Sequence, residues 1–216
     1  MSHSLRINEI FYSIQGEARF VGLPTIFVRL TGCPLRCHYC DTAYAFHAGK
    51  RLSFSEIFST LAQFPCQRVC VTGGEPLAQP AVLTFMHQLC ESGYAVSIET
   101  SGALDIQKID SRVCVTLDLK TPGSGEAARN LWSNLSHLKA LDQVKLVITD
   151  REDFDWACQH IQQHALPSGC EWLLSPMTPG LDARVLAEWL LQAGLPENVR
   201  LQVQLHKQLW HDAAGH

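Results

Sequence analysis

Thr25-Ile26-Phe27-Val28-Arg29-Leu30-Thr31-Gly32-Cys33-Pro34-Leu35-Arg36-Cys37-His38-Tyr39-Cys40-Asp41-Thr42 is the stretch on which the reading of this chain turns. Its first seven residues form a short, nearly continuous apolar run, the pattern of a strand buried on both faces. Three thiols follow within eight residues. In parallel α/β proteins ligands bind at the carboxyl ends of the strands, so these cysteines stand where a site belongs.

Working outward, similar Val- and Ile-rich runs recur at 68–72, 94–100, 113–118, 143–149, 171–175 and 199–205. Helical patterns lie between several of them, at 53–64, 80–92, 151–164 and 182–193, the first opened by the capping-box spacing of Ser53 and Glu56. Alternating strand and helix imply a parallel α/β architecture. Seven strands with four helices are too few for a full eight-unit barrel, which takes about 250 residues. The expected fold is therefore α/β, a shortened, open (βα) partial TIM-type barrel with a reduced helix count. With no repeat or linker, and with 121–126 (TPGSGE) and 166–169 reading as ordinary loops, one domain over 1–216 is expected.

Composition narrows the function classes. With 46% hydrophobic and 18% charged residues among 216, this is a foldable globular chain, not a coiled coil or low-complexity segment. Its 17 Lys and Arg against 21 Asp and Glu give a net charge of -4 without a basic run, which disfavours nucleic-acid binding. No apolar stretch has the length of a signal peptide or a membrane span, so a soluble, cytoplasmic protein without membrane contact is expected. Nine cysteines is an odd number for a disulfide framework, and Cys70, Cys114, Cys158 and Cys170 read as core residues.

Charges inside buried strands need partners. Arg29 lies within the first run, Glu99 ends the third, Asp118 and Lys120 end the fourth, and Lys145 interrupts the fifth. Either they converge on one ligand site, or they pair with one another as structural ions.

The spacing Cys33-x3-Cys37-x2-Cys40 reads as a ligand set for zinc or an iron-sulfur centre, because thiolates suit both. Zinc wants a fourth ligand, which the other cysteines and His38 are poorly placed to give. Three thiolates around an iron-sulfur cubane leave one iron open, as a catalytic cluster requires. Further on, Thr72-Gly73-Gly74-Glu75-Pro76 follows the second run; its glycines permit close backbone approach to a ligand, and Glu75 could pair with a cationic amino group.

Taken together, the cysteine spacing and the GGEP segment resemble the radical S-adenosylmethionine (SAM) superfamily. Ile7-Asn8-Glu9-Ile10-Phe11-Tyr12-Ser13-Ile14-Gln15-Gly16-Glu17 is similar to the opening segment of the 7-carboxy-7-deazaguanine synthase family, with Ala18 in place of that family's last glycine. The resemblance extends through Cys40-Asp41-Thr42, Ile98-Glu99-Thr100, residues 118–125, Leu174-Ser175-Pro176-Met177 and Gln204-Leu205-His206-Lys207, nearly the whole chain.

This resemblance implies a lyase that converts 6-carboxy-5,6,7,8-tetrahydropterin to 7-carboxy-7-deazaguanine and ammonia, within the biosynthesis of queuosine and other deazapurines. It implies a [4Fe-4S] cluster on Cys33, Cys37 and Cys40, and SAM that is cleaved to a 5'-deoxyadenosyl radical and remade. Ile14, Gln15, Gly16, Arg29 and Thr72 would bind the substrate, Arg29 through its carboxylate, which a planar guanidinium suits. Tyr39, Cys40, Asp41, Gly74, Glu75, Asp118, Lys120 and Ser175 would contact SAM, and Thr42 would hold Mg2+, although without the family pattern Thr42 reads as a cap on the turn after Cys40. His206 lies plausibly near the substrate. A flavodoxin-type or other reductant and a homodimer are also implied. Trp210 to His216 continues past the point where relatives commonly stop, which puts a terminal carboxylate's role in closing the site in doubt. Two other readings stay open: a glycyl-radical activating enzyme with the same cluster motif, and a non-enzymatic zinc or iron-sulfur module.

Overall fold

The computed structural model describes residues 3–211. Its strands are β1 (Ser4–Ile14), β2 (Pro24–Leu30), β3 (Lys50–Ser53), β4 (Arg68–Gly73), β5 (Ala95–Thr100), β6 (Cys114–Leu119), β7 (Gln143–Ile148), β8 (Glu171–Pro176) and β9 (Val199–Leu201). Its helices are α1 (Phe54–Leu61), α2 (Ala81–Glu91), α3 (Arg151–Gln163), α4 (Ala183–Gln192) and α5 (Leu205–Trp210).

All nine strands lie in one sheet ordered β3-β1-β2-β4-β5-β6-β7-β8-β9. From β2 to β9 every pairing is parallel, while β1 runs antiparallel to both β2 and β3. The edge strands β3 and β9 do not pair, so the sheet is an open partial barrel. Helices α2, α3 and α4 cross between β4 and β5, β7 and β8, and β8 and β9; the β5–β6 and β6–β7 connections carry no α-helix. Those two connections are the reduced helix count that the sequence implied.

Local chemistry sets the helix starts. Ser53 and Glu56 form the anticipated capping box, each side chain satisfying the other's backbone N–H. The Asp150 carboxylate accepts from Asp153 N–H to open α3, and Asp182 accepts from Arg184 N–H to open α4. The core is continuous: Val28, Val71, Ile98, Leu117, Leu146 and Leu174 from successive strands are all buried, with Phe85 and Phe154 of the covering helices against them. At about 25 cal/mol per Å² of apolar surface removed from water, such burial is the dominant favourable contribution to folding.

Two strands were not legible in the sequence. β1 carries Arg6, Asn8 and Glu9 and pairs antiparallel near the sheet's edge, so one of its faces tolerates polar side chains and no apolar run marks it. β3 is four residues long with Lys50 and Arg51 exposed, the usual character of an edge strand. The run 199–205 is also not one strand: it pairs over Val199–Leu201 and then turns into α5.

The loop from Gln15 to Leu23 bridges the two ends of the sheet. Ala18 N–H donates to Gln202 Oε1 at 2.6 Å, Gln202 Nε2 returns a bond to Ala18 O at 3.2 Å, and Leu205 N–H donates to Gly16 O at 2.9 Å. Arg19 reaches the carbonyls of Leu141 and Gly169, just ahead of β7 and β8. The loop thus ties the end of β1 to the segment after β9 and to the starts of β7 and β8.

Candidate active site

β2 ends at Leu30, and the chain leaves it through Gly32 at φ +99°, in the left-handed region that glycine enters readily. Cys33, Cys37 and Cys40 follow, all half-buried and all lining the cavity. β4 ends beside them, and a Cβ on Gly74 would lie 2.3 Å from Gly32 O and 2.9 Å from Cys33 Cβ. Only glycine permits that approach, which is the structural content of the GGEP segment. Burial pushes the Cys33 and Cys37 thiols up, with the nearby Lys120 charge acting the other way on both.

The strand-end charges converge on the same cavity and also pair with one another, so both readings of them hold. Lys120 Nζ meets Asp118 Oδ1 at 2.8 Å, and Lys145 Nζ pairs with Glu17 and lies 3.3 Å from Asp118 Oδ2. Burial alone would raise Asp118, but Lys120 and Lys145 outweigh it and hold its carboxyl below the ordinary value. Glu99 differs: burial, then the Glu17 charge, pushes it up against the opposing pull of Lys145, Thr72 and Arg29. Its two oxygens accept from Gln15 Nε2 at 3.2 Å and Thr72 Oγ1 at 3.0 Å.

Arg29 occupies a mid-cavity position on β2 beside stacked Phe11 and Phe27, whose ring centres are 4.8 Å apart. Its Nε donates to Glu9 Oε1 at 2.7 Å, and Tyr44 OH donates to the same oxygen at 2.8 Å. The guanidinium is thus fixed through one nitrogen. Opposite, Gly16 packs under His206, and a Cβ on Gly16 would fall 2.1 Å from His206 Nδ1.

Fourteen of the sixteen anticipated site residues line this cavity: Ile14, Gln15, Gly16, Arg29, Cys33, Cys37, Tyr39, Cys40, Asp41, Thr42, Thr72, Gly74, Asp118 and Lys120. Glu75 and Ser175 do not. Glu75 is fully buried and consumed by the protein, accepting from Leu77 N–H, Thr100 Oγ1, Ser101 N–H and Ser101 Oγ at 2.6–3.0 Å. A carboxylate so engaged fixes the turn after β4 and has no lone pair aimed into the cavity. Ser175 is buried on β8 with its hydroxyl unpartnered. Thr42 precedes a short 3-10 turn without capping it through its side chain; its Oγ1 donates to Asp41 Oδ1 at 3.1 Å. Asp212 to His216 lie outside the described residues.

Sequence reasoning gave no role to Glu17, whose carboxylate takes Lys145 on one side and Gln204 Nε2, at 2.6 Å, on the other. The available signal was Lys145 itself, a cation inside an otherwise apolar strand that had to have an anion opposite.

Residues 27–121 match the family model of the radical SAM superfamily. The chain is 41% identical to the 7-carboxy-7-deazaguanine synthase of Chlorobaculum tepidum, over 98% of this chain and 97% of that protein. The chain belongs to the 7-carboxy-7-deazaguanine synthase family. Its likeness to the members from Koribacter versatilis (39% identity, 95% and 97% covered) and Thermoplasma acidophilum (36%, 97% and 99%) is equally end to end. The crystal structure of QueE from Escherichia coli shares the fold, with a TM-score of 0.76 over 94% of this chain and 95% of that one at 23% identity.

Membership of this radical SAM family brings with it a [4Fe-4S] cluster, SAM, a small-molecule substrate and a reductant. The residues fit the first two. Three thiols on one loop open into a cavity where glycine clears the backbone around Cys33, and among the described residues they do not converge with other ligands on a single ion. Three anchoring thiolates of a cubane bind three different irons, so wider spacing suits them. Tyr39 OH, buried without a partner, is one further polar atom left for a ligand beside the cysteines. Among the described residues no helix is long and apolar enough to cross a membrane.

Proposed function

We propose that this chain converts 6-carboxy-5,6,7,8-tetrahydropterin to 7-carboxy-7-deazaguanine and ammonia, acting as one radical SAM domain over 1–216. The observation that carries the reading is Arg29: a cation placed on a buried strand, in the same cavity as the three cysteines and steadied through one nitrogen by Glu9. A guanidinium fixed in the cavity wall is suited to a substrate carboxylate.

Cys33, Cys37 and Cys40 would hold the cluster, whose chemistry when bound would be one-electron reduction of SAM. Asp118, Lys120, Tyr39 and Gly74 form the SAM side of the cavity, Lys120 kept protonated by Asp118. Gln15, Gly16, the Ile14 backbone and Thr72 form the pterin side. Glu99 joins them: its two oxygens, accepting from Gln15 and Thr72, face the cavity as hydrogen-bonding groups for a heterocycle edge. Thr42, whose hydroxyl donates to Asp41 Oδ1 and so keeps its own lone pairs for a ligand, would hold Mg2+ together with substrate oxygens and water. Arg29 would fix the reacting carbon through the substrate carboxylate, and Phe11 and Phe27 would exclude water behind it. Glu75 and Ser175 act from behind the cavity wall.

The net charge of -4 without a basic run favours a free pterin over any nucleic-acid substrate. A flavodoxin-type reductant, a homodimer and a cytoplasmic setting complete the reading. Anaerobic reconstitution with iron and sulfide, followed by SAM, Mg2+, reductant and 6-carboxytetrahydropterin, tests it by the mass and ultraviolet spectrum of the product. Carboxydeazaguanine that vanishes with Cys37→Ala supports the proposal. SAM cleavage without it would transfer the case to a glycyl-radical activating enzyme.

A further inference from the structure

The cysteine loop is held in shape by contacts in which no metal takes part. Arg36, exposed at its tip, turns its guanidinium back so that NH1 donates to Cys33 O at 2.8 Å and Leu35 O at 2.6 Å. The same group lies over the Phe46 ring, 4.3 Å from its centre. From the other side comes the segment after β6. Glu126 Oε1 accepts from Arg36 N–H at 2.6 Å, and Ser124 O accepts from His38 N–H at 3.0 Å. The backbone donors on both sides of Cys37 are therefore tied to one short segment.

That segment is itself anchored. Asp153, buried in the first turn of α3, accepts from Thr121 Oγ1 at 3.0 Å and Gly123 N–H at 2.8 Å. Gly125 sits at φ +76°, and a Cβ there would come within 2.8 Å of the His38 ring. The stretch TPGSGE, which reads in the sequence as an ordinary loop, is thus a brace running from α3 to the cysteines. A loop fixed in advance loses less conformational freedom when its ligand binds.

We propose that Glu126, with Ser124 and Arg36, positions the cluster loop before any iron is bound and thereby sets how firmly the cluster is retained. The inference rests on the reading of Cys33, Cys37 and Cys40 as cluster ligands. Glu126 is a positioning residue, because it acts through the Arg36 backbone and not on the cluster.

The test compares the full chain with Glu126→Ala, Glu126→Gln and Arg36→Gln. Hydrogen exchange of the iron-free proteins reads the Arg36 and His38 amides, and iron loss to a ferrous chelator is followed after anaerobic reconstitution. In Glu126→Ala both rates rise about tenfold, the factor expected for one lost hydrogen bond to a charged group. Glu126→Gln falls between Glu126→Ala and the parent chain, because its amide oxygen accepts the same bond without the charge. Arg36→Gln, an exposed change that leaves the fold alone, also speeds iron loss. Melting temperatures stay within a degree or so of one another, as expected for surface changes. Parental rates in Glu126→Ala and Arg36→Gln overturn the proposal. A parent chain that takes up no cluster overturns the reading beneath it, and the inference with it.

Discussion

Glu17 and Lys145, 128 positions apart in the chain, form a buried ion pair that joins the loop after β1 to the middle of β7. Lys145 also lies 3.3 Å from Asp118, so one ammonium serves two carboxylates. Removing it leaves Glu17 buried without a cation, while Asp118 keeps only Lys120. Breaking a buried pair from one side costs about 3–5 kcal/mol. Lys145→Met therefore lowers the melting temperature by roughly 10 °C, given the usual 2–4 °C per kcal/mol for a chain of this size. Calorimetry on the iron-free protein measures it.

Asp118 and Glu99 give opposite pH dependences. The Asp118 carboxyl is held below its unfolded value, so its stabilisation is full above about pH 4 and is lost as pH falls through the folded value. The advantage of the parent chain over Asp118→Asn thus shrinks between pH 5 and pH 2, a range set on the order of the Asp pKa. Glu99 is raised, so its contribution is full below the unfolded value of about 4.3 and is lost as pH rises through the folded one. Glu99→Gln gains on the parent as pH increases from about 4 toward 8, starting from the unfolded Glu value. Melting curves across pH for the three proteins distinguish the two signs.

Arg29→Lys keeps the charge but loses the planar fork and the stacking on Phe11 and Tyr44, whose ring centres lie 5.7 and 5.9 Å from the guanidinium carbon. Mispairing a buried carboxylate partner costs about 2–5 kcal/mol, or some 30-fold and upward in kcat/KM. Steady-state kinetics should place the loss mostly in KM, since SAM cleavage without substrate does not use this residue.

Gly16→Ala pushes a methyl into His206, the nearest ring atom being 2.1 Å away. Overpacking of this kind costs about 1–3 kcal/mol. The added methyl displaces α5 from the cavity mouth and lowers activity. Gly16→Ala with His206→Ala should be less harmful than the two single effects summed, and a double-mutant cycle measures that coupling.

The alternation of runs and helices made the parallel half of the sheet legible, because strands buried on both faces are built from long apolar runs, as Val69 to Val71 and Leu146 to Ile148 are. β1 and β3 escaped for the converse reason: near an edge, polar residues such as Asn8 and Lys50 carry no cost. The three thiols after β2 and the charge of Arg29 within it pointed to a site by residue type, while their particular roles came with the family resemblance. The part played by Glu75 could not, because its four donors come from Leu77, Thr100 and Ser101, and a carboxylate after two glycines looks the same whether it faces a ligand or its own backbone. Glu17 lay hidden for a related reason, since its partners Lys145 and Gln204 are far away in sequence.

In the proposed reaction one cavity holds the carboxypterin and SAM together, so that hydrogen passes directly between them. Turnover of 6-carboxytetrahydropterin deuterated at C6, with mass analysis of the recovered SAM, tests this most directly. Deuterium is expected in SAM alongside carboxydeazaguanine, with SAM conserved over many turnovers. Unlabelled SAM, or SAM consumed one for one with product, would contradict it.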